Sequence, residues 1–161
     1  MLASDDAAKN ATVRLKGNKP NGTASLAVNT ANANVGGLIS DTGSDNKNAT
    51  YAHLYAGAAP SAHNAGQQAS TAANTLTITG AGTYTYAGTV GKEGESAHLS
   101  LAMTGTGSQT FSGVAHVGDV SVSNGTLALS NATSKVYGDI TVSGGKLNFG
   151  GSYTLGAEQT L

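Results

Sequence analysis

The sequence contains no cysteine and no tryptophan, and only two prolines and two phenylalanines in 161 residues. Without cysteine there are no disulfides and no thiol chemistry, which disfavours a small disulfide-stapled domain but leaves room for a bacterial surface protein. Charge is scarce as well. Eight Lys and Arg stand against nine Asp and Glu, a net charge of −1. No basic excess is present to attract nucleic acid. No apolar run approaches the roughly 18 residues that a membrane helix needs, so no direct membrane insertion is expected. Leu, Val, Ile and Phe together make only 28 positions. That is below the roughly 20% at which disorder is expected, but disorder of that kind also needs high net charge. Ala, Gly, Thr, Ser and Asn fill 98 positions instead. Such a composition suits a thin core repeated along an axis better than one large globular core.

Internal repeats are present. Gly118-Asp-Val-Ser-Val-Ser-Asn-Gly-Thr-Leu-Ala-Leu129 lies on Gly138-Asp-Ile-Thr-Val-Ser-Gly-Gly-Lys-Leu-Asn-Phe149 at a constant offset of 20, with six of 12 pairs identical. Upstream, Leu76, Ile78, Gly80, Gly82, Tyr86 and Gly88 fall on Leu101, Met103, Gly105, Gly107, Phe111 and Gly113 at a constant offset of 25. Fixed periods of this size indicate stacked units, each too small to bury its face alone.

Each unit reads as β-strands. Val120 to Ser123, Leu127 to Leu129, Ile140 to Ser143, Leu76 to Thr79 and Leu99 to Leu101 alternate apolar and small polar residues. Alternation by two turns Val120, Val122, Leu127 and Leu129 inward and the hydroxyls outward. Asn124-Gly125, Gly144-Gly145 and Gly150-Gly151 supply the positive φ that tight corners need. Asn-Gly between alternating runs also signals a hairpin, so an antiparallel meander is the local rival. The period favours a parallel β-solenoid with rungs of about 20–25 residues, in which Val120 stacks on Ile140 and Leu127 on Leu147. Some six or seven rungs are expected.

The N-terminal half is looser. Thr12 to Leu15, Ser25 to Val28, Gly36 to Asp41 and Tyr51 to Tyr55 read as short strands or turns into strands. Residues 56–74 have no large apolar residue and read as a long loop. The expected organisation is a lead-in over 1–10 and one β-solenoid over 11–161. An antiparallel β-sandwich is the alternative for the N-terminal half. Met1 to Asp6 has no basic or apolar segment of a signal peptide, and the strand pattern is still running at Leu155. A piece of a longer protein is the expectation.

From Gly36 onward, roughly three-quarters of the chain resembles the passenger repeats of bacterial autotransporters. Three pieces carry the resemblance: Gly37-Leu-Ile-Ser-Asp41; Leu76-Thr-Ile-Thr-Gly-Ala-Gly-Thr-Tyr-Thr-Tyr-Ala-Gly88; and Val122-Ser-Asn-Gly-Thr-Leu-Ala-Leu129. In that family a Leu-rich strand, a Thr-Gly corner, an aromatic–small–Gly step and a Gly-Thr-Leu strand recur in this order. The resemblance implies a right-handed parallel β-helix at the extracellular or outer-membrane surface of a Gram-negative bacterium. It also implies work as a stalk, a folding driver for export or an adhesive surface. Two departures stand out: the 56–74 insertion exceeds a corner, and no C-terminal β-barrel follows.

Few residues suggest chemistry. Asp41-Thr42-Gly43 spells the aspartic-protease motif, but that chemistry needs two carboxylates sharing a proton, so one copy would require a dimer. Its plainer reading is a polar turn. His53, His63, His98 and His116 lack metal-ligand spacing and read as surface histidines. No Gly-x-Ser-x-Gly elbow is present. Asp119 and Asp139 occupy the same place in consecutive repeats. They lack the oxygen ligands calcium needs and read as corner residues satisfying turn N–H groups. Five Asn-x-Thr sequences follow from composition and carry no meaning in a bacterial protein.

Aromatic side chains offer the remaining opportunity. Tyr51 and Tyr55 share one strand face beside the long loop, and Tyr84 and Tyr86 share another. Exposed on a flat sheet, they would stack on sugar rings; buried, they would be core. The sequence therefore reads as a structural surface segment without catalysis, metal or cofactor. The alternative is a module binding host glycans or glycoproteins through Tyr51, Tyr55, Tyr84 and Tyr86. Unpaired edges at either end would permit end-to-end self-association.

Overall fold

The computed structural model describes residues 4–6, 8–16, 24–40, 52–56, 73–93 and 98–153. Fifteen strands and no helix occur among them. They are β1 (Ala8–Leu15), β2 (Ala24–Val28), β3 (Asn32–Ser40), β4 (Ala52–Ala56), β5 (Thr75–Ile78), β6 (Thr83–Tyr86), β7 (Thr89–Val90) and β8 (Ser100–Met103). Then come β9 (Ser108–Phe111), β10 (His116–Val117), β11 (Val120–Val122), β12 (Thr126–Leu129), β13 (Lys135–Val136), β14 (Ile140–Val142) and β15 (Lys146–Phe149).

The strands assemble into sheets ordered β1-β3-β5-β8-β11-β14, β6-β9-β12-β15, β2-β4-β7 and β10-β13. A parallel bridge from Val90 to Ala115 links the last two. Every strand pair is parallel. From Thr75 onward the chain visits the faces in a fixed rotation: β5, β6, β7, then β8, β9, β10, then β11, β12, β13, then β14 and β15. The antiparallel sandwich is not what the N-terminal half forms, because β1 pairs with β3 and β2 with β4 in parallel. β1 starts at Ala8, inside the expected lead-in, and the Asn34 N–H donates to Asp5 O at 2.7 Å.

The aligned repeats are stacked neighbours. Leu76 pairs with Leu101 and Tyr86 with Phe111, 25 residues apart. Val120 pairs with Ile140 and Leu127 with Leu147, 20 apart. The step joining the two repeat families is shorter: Leu101 meets Val120 and Gln109 meets Leu127, 19 and 18 residues on. Upstream the spacing stretches to 43 between Ala33 and Leu76, because residues 41–51 and 57–72, which lie outside the described residues, intervene.

Inward side chains fill the space between the sheets. Leu76, Ile78, Leu101, Met103, Val120, Val122 and Ile140 from one sheet meet Tyr86, Phe111, Leu127 and Leu129 from another, all at 1% exposure or less. Each ladder supplies one apolar residue per strand, so a composition poor in large apolar residues still gives a dry core. Gly125 adopts φ +61° and Gly145 φ +75°, so the two corners predicted from Asn124-Gly125 and Gly144-Gly145 each use a left-handed glycine. Gly150 and Gly151 do not; positive φ is confined to Gly91, Gly125 and Gly145 among the described residues.

Candidate functional site

Tyr55, Tyr84 and Tyr86 do not make one surface. Tyr86 is fully buried and meets Phe111 edge-on, ring centroids 5.9 Å apart at 70°. Its hydroxyl donates to Thr89 O at 3.3 Å, and burial pushes the phenol pKa far up. Tyr84 follows the same inward alternation and is half-buried. Its ring lies against Gly37 and Gly82, where a Cβ would overlap it. Tyr55 is only 7% exposed, and desolvation raises its pKa. Tyr86 is therefore corrected from candidate ligand surface to core aromatic, and Tyr55 is corrected to a covered side chain, on the face of β4 opposite the inward Ala52, Leu54 and Ala56, with little ring left to stack on a sugar. Tyr51 lies outside the described residues, as do Asp41-Thr42-Gly43 and His63.

The corner aspartates behave as turn residues. The Asp139 N–H donates to the Asp119 carboxylate at 2.9 Å, and the Asp119 N–H donates to Ser100 Oγ at 2.9 Å. Each successive corner is tied to the one before it by a side-chain oxygen in the same place. Among the described residues no group of three His, Asp or Glu is placed to hold a metal ion.

What the fold does assemble is a cleft of about 360 Å³ on the outer side of β4, β7 and the 114–117 segment. Its lining includes His53, Thr89, Lys92, Glu93, Val114 and His116. His53 comes from β4, Thr89 from β7, and Val114 and His116 from one turn further along. Parallel pairing of His53 with Thr89, then the Val90–Ala115 bridge, brings them together across 63 residues of sequence. Thr89 Oγ1 and His53 Nδ1 share a hydrogen bond of 2.5 Å. His116 Nδ1 lies 3.3 Å from the Tyr137 hydroxyl. The Glu93 carboxylate forms an ion pair with Lys135 across the rim. Next to the cleft, His98 stacks on Tyr137 with centroids 3.9 Å apart and planes within 7°.

The electrostatics follow from this placement. Desolvation is the largest cause lowering the pKa of His53, His98 and His116. The nearby Glu93 pulls His116 the other way, while Lys135 adds to the lowering. The Lys135 hydrogen bond holds Glu93 below its ordinary value, and Glu93 raises Lys135. At neutral pH the cleft presents uncharged imidazoles and a compensated ion pair.

A pH effect on stability follows. The unfolded chain takes up protons on its histidines as pH falls through about 6.5. The folded chain resists until lower pH, so the unfolded state binds more protons in that window. Stability is therefore fully present above about pH 6.5 and declines below it. Thermal melts from pH 7.5 to 5 should show a falling Tm, and His98→Gln with His116→Gln should flatten the fall. A pH-independent Tm in the parent chain would contradict partly desolvated, neutral imidazoles.

The sequence could not reveal this grouping. Its histidines have no regular spacing, and 36 residues separate the paired Leu54 and Val90. Comparison with protein-family models, with curated proteins and with solved structures finds no match.

Proposed function

We propose that this chain is a segment of a right-handed parallel β-solenoid, from the passenger region of an autotransporter-like protein at the surface of a Gram-negative bacterium. Its work is structural: a secreted, non-enzymatic stalk that carries its outer faces away from the cell as an adhesive surface. The observation that supports this reading most is the fixed rotation of strands among three faces, all parallel, stacked at 18–25-residue steps from Leu76 onward, with like core residues in register at the 20- and 25-residue steps. Such a coil buries its side chains along its axis and leaves length and outer surface as its products. Outward Thr77, Ser121 and Thr141 keep one face wet and nearly uncharged.

One pair of cysteine substitutions tests both halves of the proposal in a chain that has no native thiol. Ser121 and Thr141 are exposed register partners. Parallel neighbours place Cα atoms within disulfide range. Ser121→Cys with Thr141→Cys should cross-link within one molecule under mild oxidation. Ser121→Cys alone, in intact cells of the producing bacterium, should react with a membrane-impermeant maleimide. Failure to cross-link would overturn the coil, and labelling only after lysis would overturn the surface location.

A further inference from the structure

The cleft beside β4 and β7 has a chemistry that the stalk reading does not use. Its volume, about 360 Å³, is in the range of small-ligand sites. Most of its wall is apolar, and Val114, Thr89, the two histidines and Lys92 are among the residues that line it. Its polar groups are few and separately placed. Each imidazole has Nδ1 engaged, His53 by Thr89 and His116 by Tyr137, which fixes the ring and leaves Nε2 as its other polar atom. Glu93 holds Lys135 through Oε1, and a carboxylate has acceptor capacity beyond one bond.

The ligand class follows by matching. A metal ion finds too few ligands, since no group of three is placed for one among the described residues. An anion finds Lys135 already paired with Glu93, and Lys92 in the cleft wall is engaged as well. A wholly apolar ligand would strip water from a carboxylate and two imidazoles without replacing those hydrogen bonds. An uncharged ring with an apolar face and a rim of hydroxyls matches the apolar wall, the carboxylate and the two imidazoles together.

We propose that this cleft is a subsite for a neutral pyranose. The sugar's C–H face lies on Val114 and the imidazoles, and its hydroxyls bond to Glu93 and to Nε2 of His53 and His116. This deepens the adhesive part of the surface reading and moves the sugar site from the tyrosines to the outer side of β4 and β7, where His53 and Thr89 meet. Binding to an isolated sugar is measured on the purified chain, so it stands or falls separately from cell-surface location.

The test is an amide-resonance titration of residues 1–161 with methyl β-galactoside, methyl α-glucoside, methyl N-acetyl-β-glucosaminide and glucuronate. At least one neutral glycoside should give saturable shifts centred on Thr89, Gly91, Val114 and His116, with a Kd of about 1 mM, an ordinary strength for one small site. Val114→Arg, which projects into the cleft from a half-buried position, should weaken binding at least about tenfold. Thr141→Arg, exposed on another face, should leave it unchanged. Circular dichroism of both variants checks that they fold. No saturable shifts with any neutral glycoside, shifts scattered over other faces, tighter binding of glucuronate, or full binding by a folded Val114→Arg would each overturn the proposal.

Discussion

Replacing Gln109 by leucine is expected to cost about 3 kcal/mol, the size of a buried backbone pair left without partners. Gln109 is fully buried, in register between Tyr84 and Leu127. Its neighbours in the stack make this an inward position, and the amide needs partners there. It finds them in the β3 backbone. The Leu38 N–H donates to Gln109 Oε1 at 2.9 Å, and Gln109 Nε2 donates to Leu38 O at 3.0 Å and to Thr110 O at 3.3 Å. The side-chain amide thus does for Leu38 what a neighbouring strand would do. Leucine keeps most of the volume but orphans the Leu38 N–H. In a chain of this size the loss corresponds to roughly 6–12 °C in Tm. Urea unfolding with hydrogen exchange at the Leu38 amide measures both the cost and its place.

Gln109→Glu supplies a control of opposite pH behaviour. A buried carboxyl is neutral far above its usual range, and only the neutral form can donate to Leu38 O. Relative to the parent at each pH, this variant should lose most at pH 8 and recover toward pH 5. A leucine variant within about 0.5 kcal/mol of the parent, with Leu38 still protected from exchange, would mean that the amide does not hold β3.

Gln109 also marks where sequence reading stops. The offsets of 20 and 25 are visible because stacked positions need residues of one kind: Val120 on Ile140, Tyr86 on Phe111. The 18- and 19-residue steps between them are not visible. There Leu127 sits on Gln109, an apolar side chain on a polar one, and likeness fails as a guide. Gln109 is polar for the sake of Leu38, 71 residues away, and no local pattern announces that. The tyrosines were legible in part. Aligning Tyr86 with Phe111 already implied core, and the same period of two that faced Tyr84 with Tyr86 carried both inward. Beyond β4 the register depends on how many residues loop out, so the grouping of His53 with His116 is a property of the fold and not of any repeat.

The second large effect separates position in the stack from residue identity. Leu127 and Leu147 occupy equivalent places in consecutive repeats and are direct register partners. Leu127 is fully buried, with Gln109 on one side and Leu147 on the other. Leu147 is half-buried, on the last strand of its sheet, and Val142 beside it in the neighbouring sheet is 44% exposed. Leu127→Ala is therefore expected to cost about 3 kcal/mol, transfer plus a cavity closed on both sides. Leu147→Ala should cost about 1 kcal/mol, since part of its surface is already wet and it has a stacked neighbour on one side only. In a stack of units that touch only their neighbours, the first change cuts two interfaces and the second weakens one. The double variant should cost less than the sum, because removing Leu147 already takes away part of what Leu127 packs against. Urea midpoints of the two single variants and the double variant, at unchanged m-value, measure this. Equal costs for the two leucines would contradict the stacking order, since the same residue at equivalent repeat positions would then cost the same with one stacked neighbour as with two.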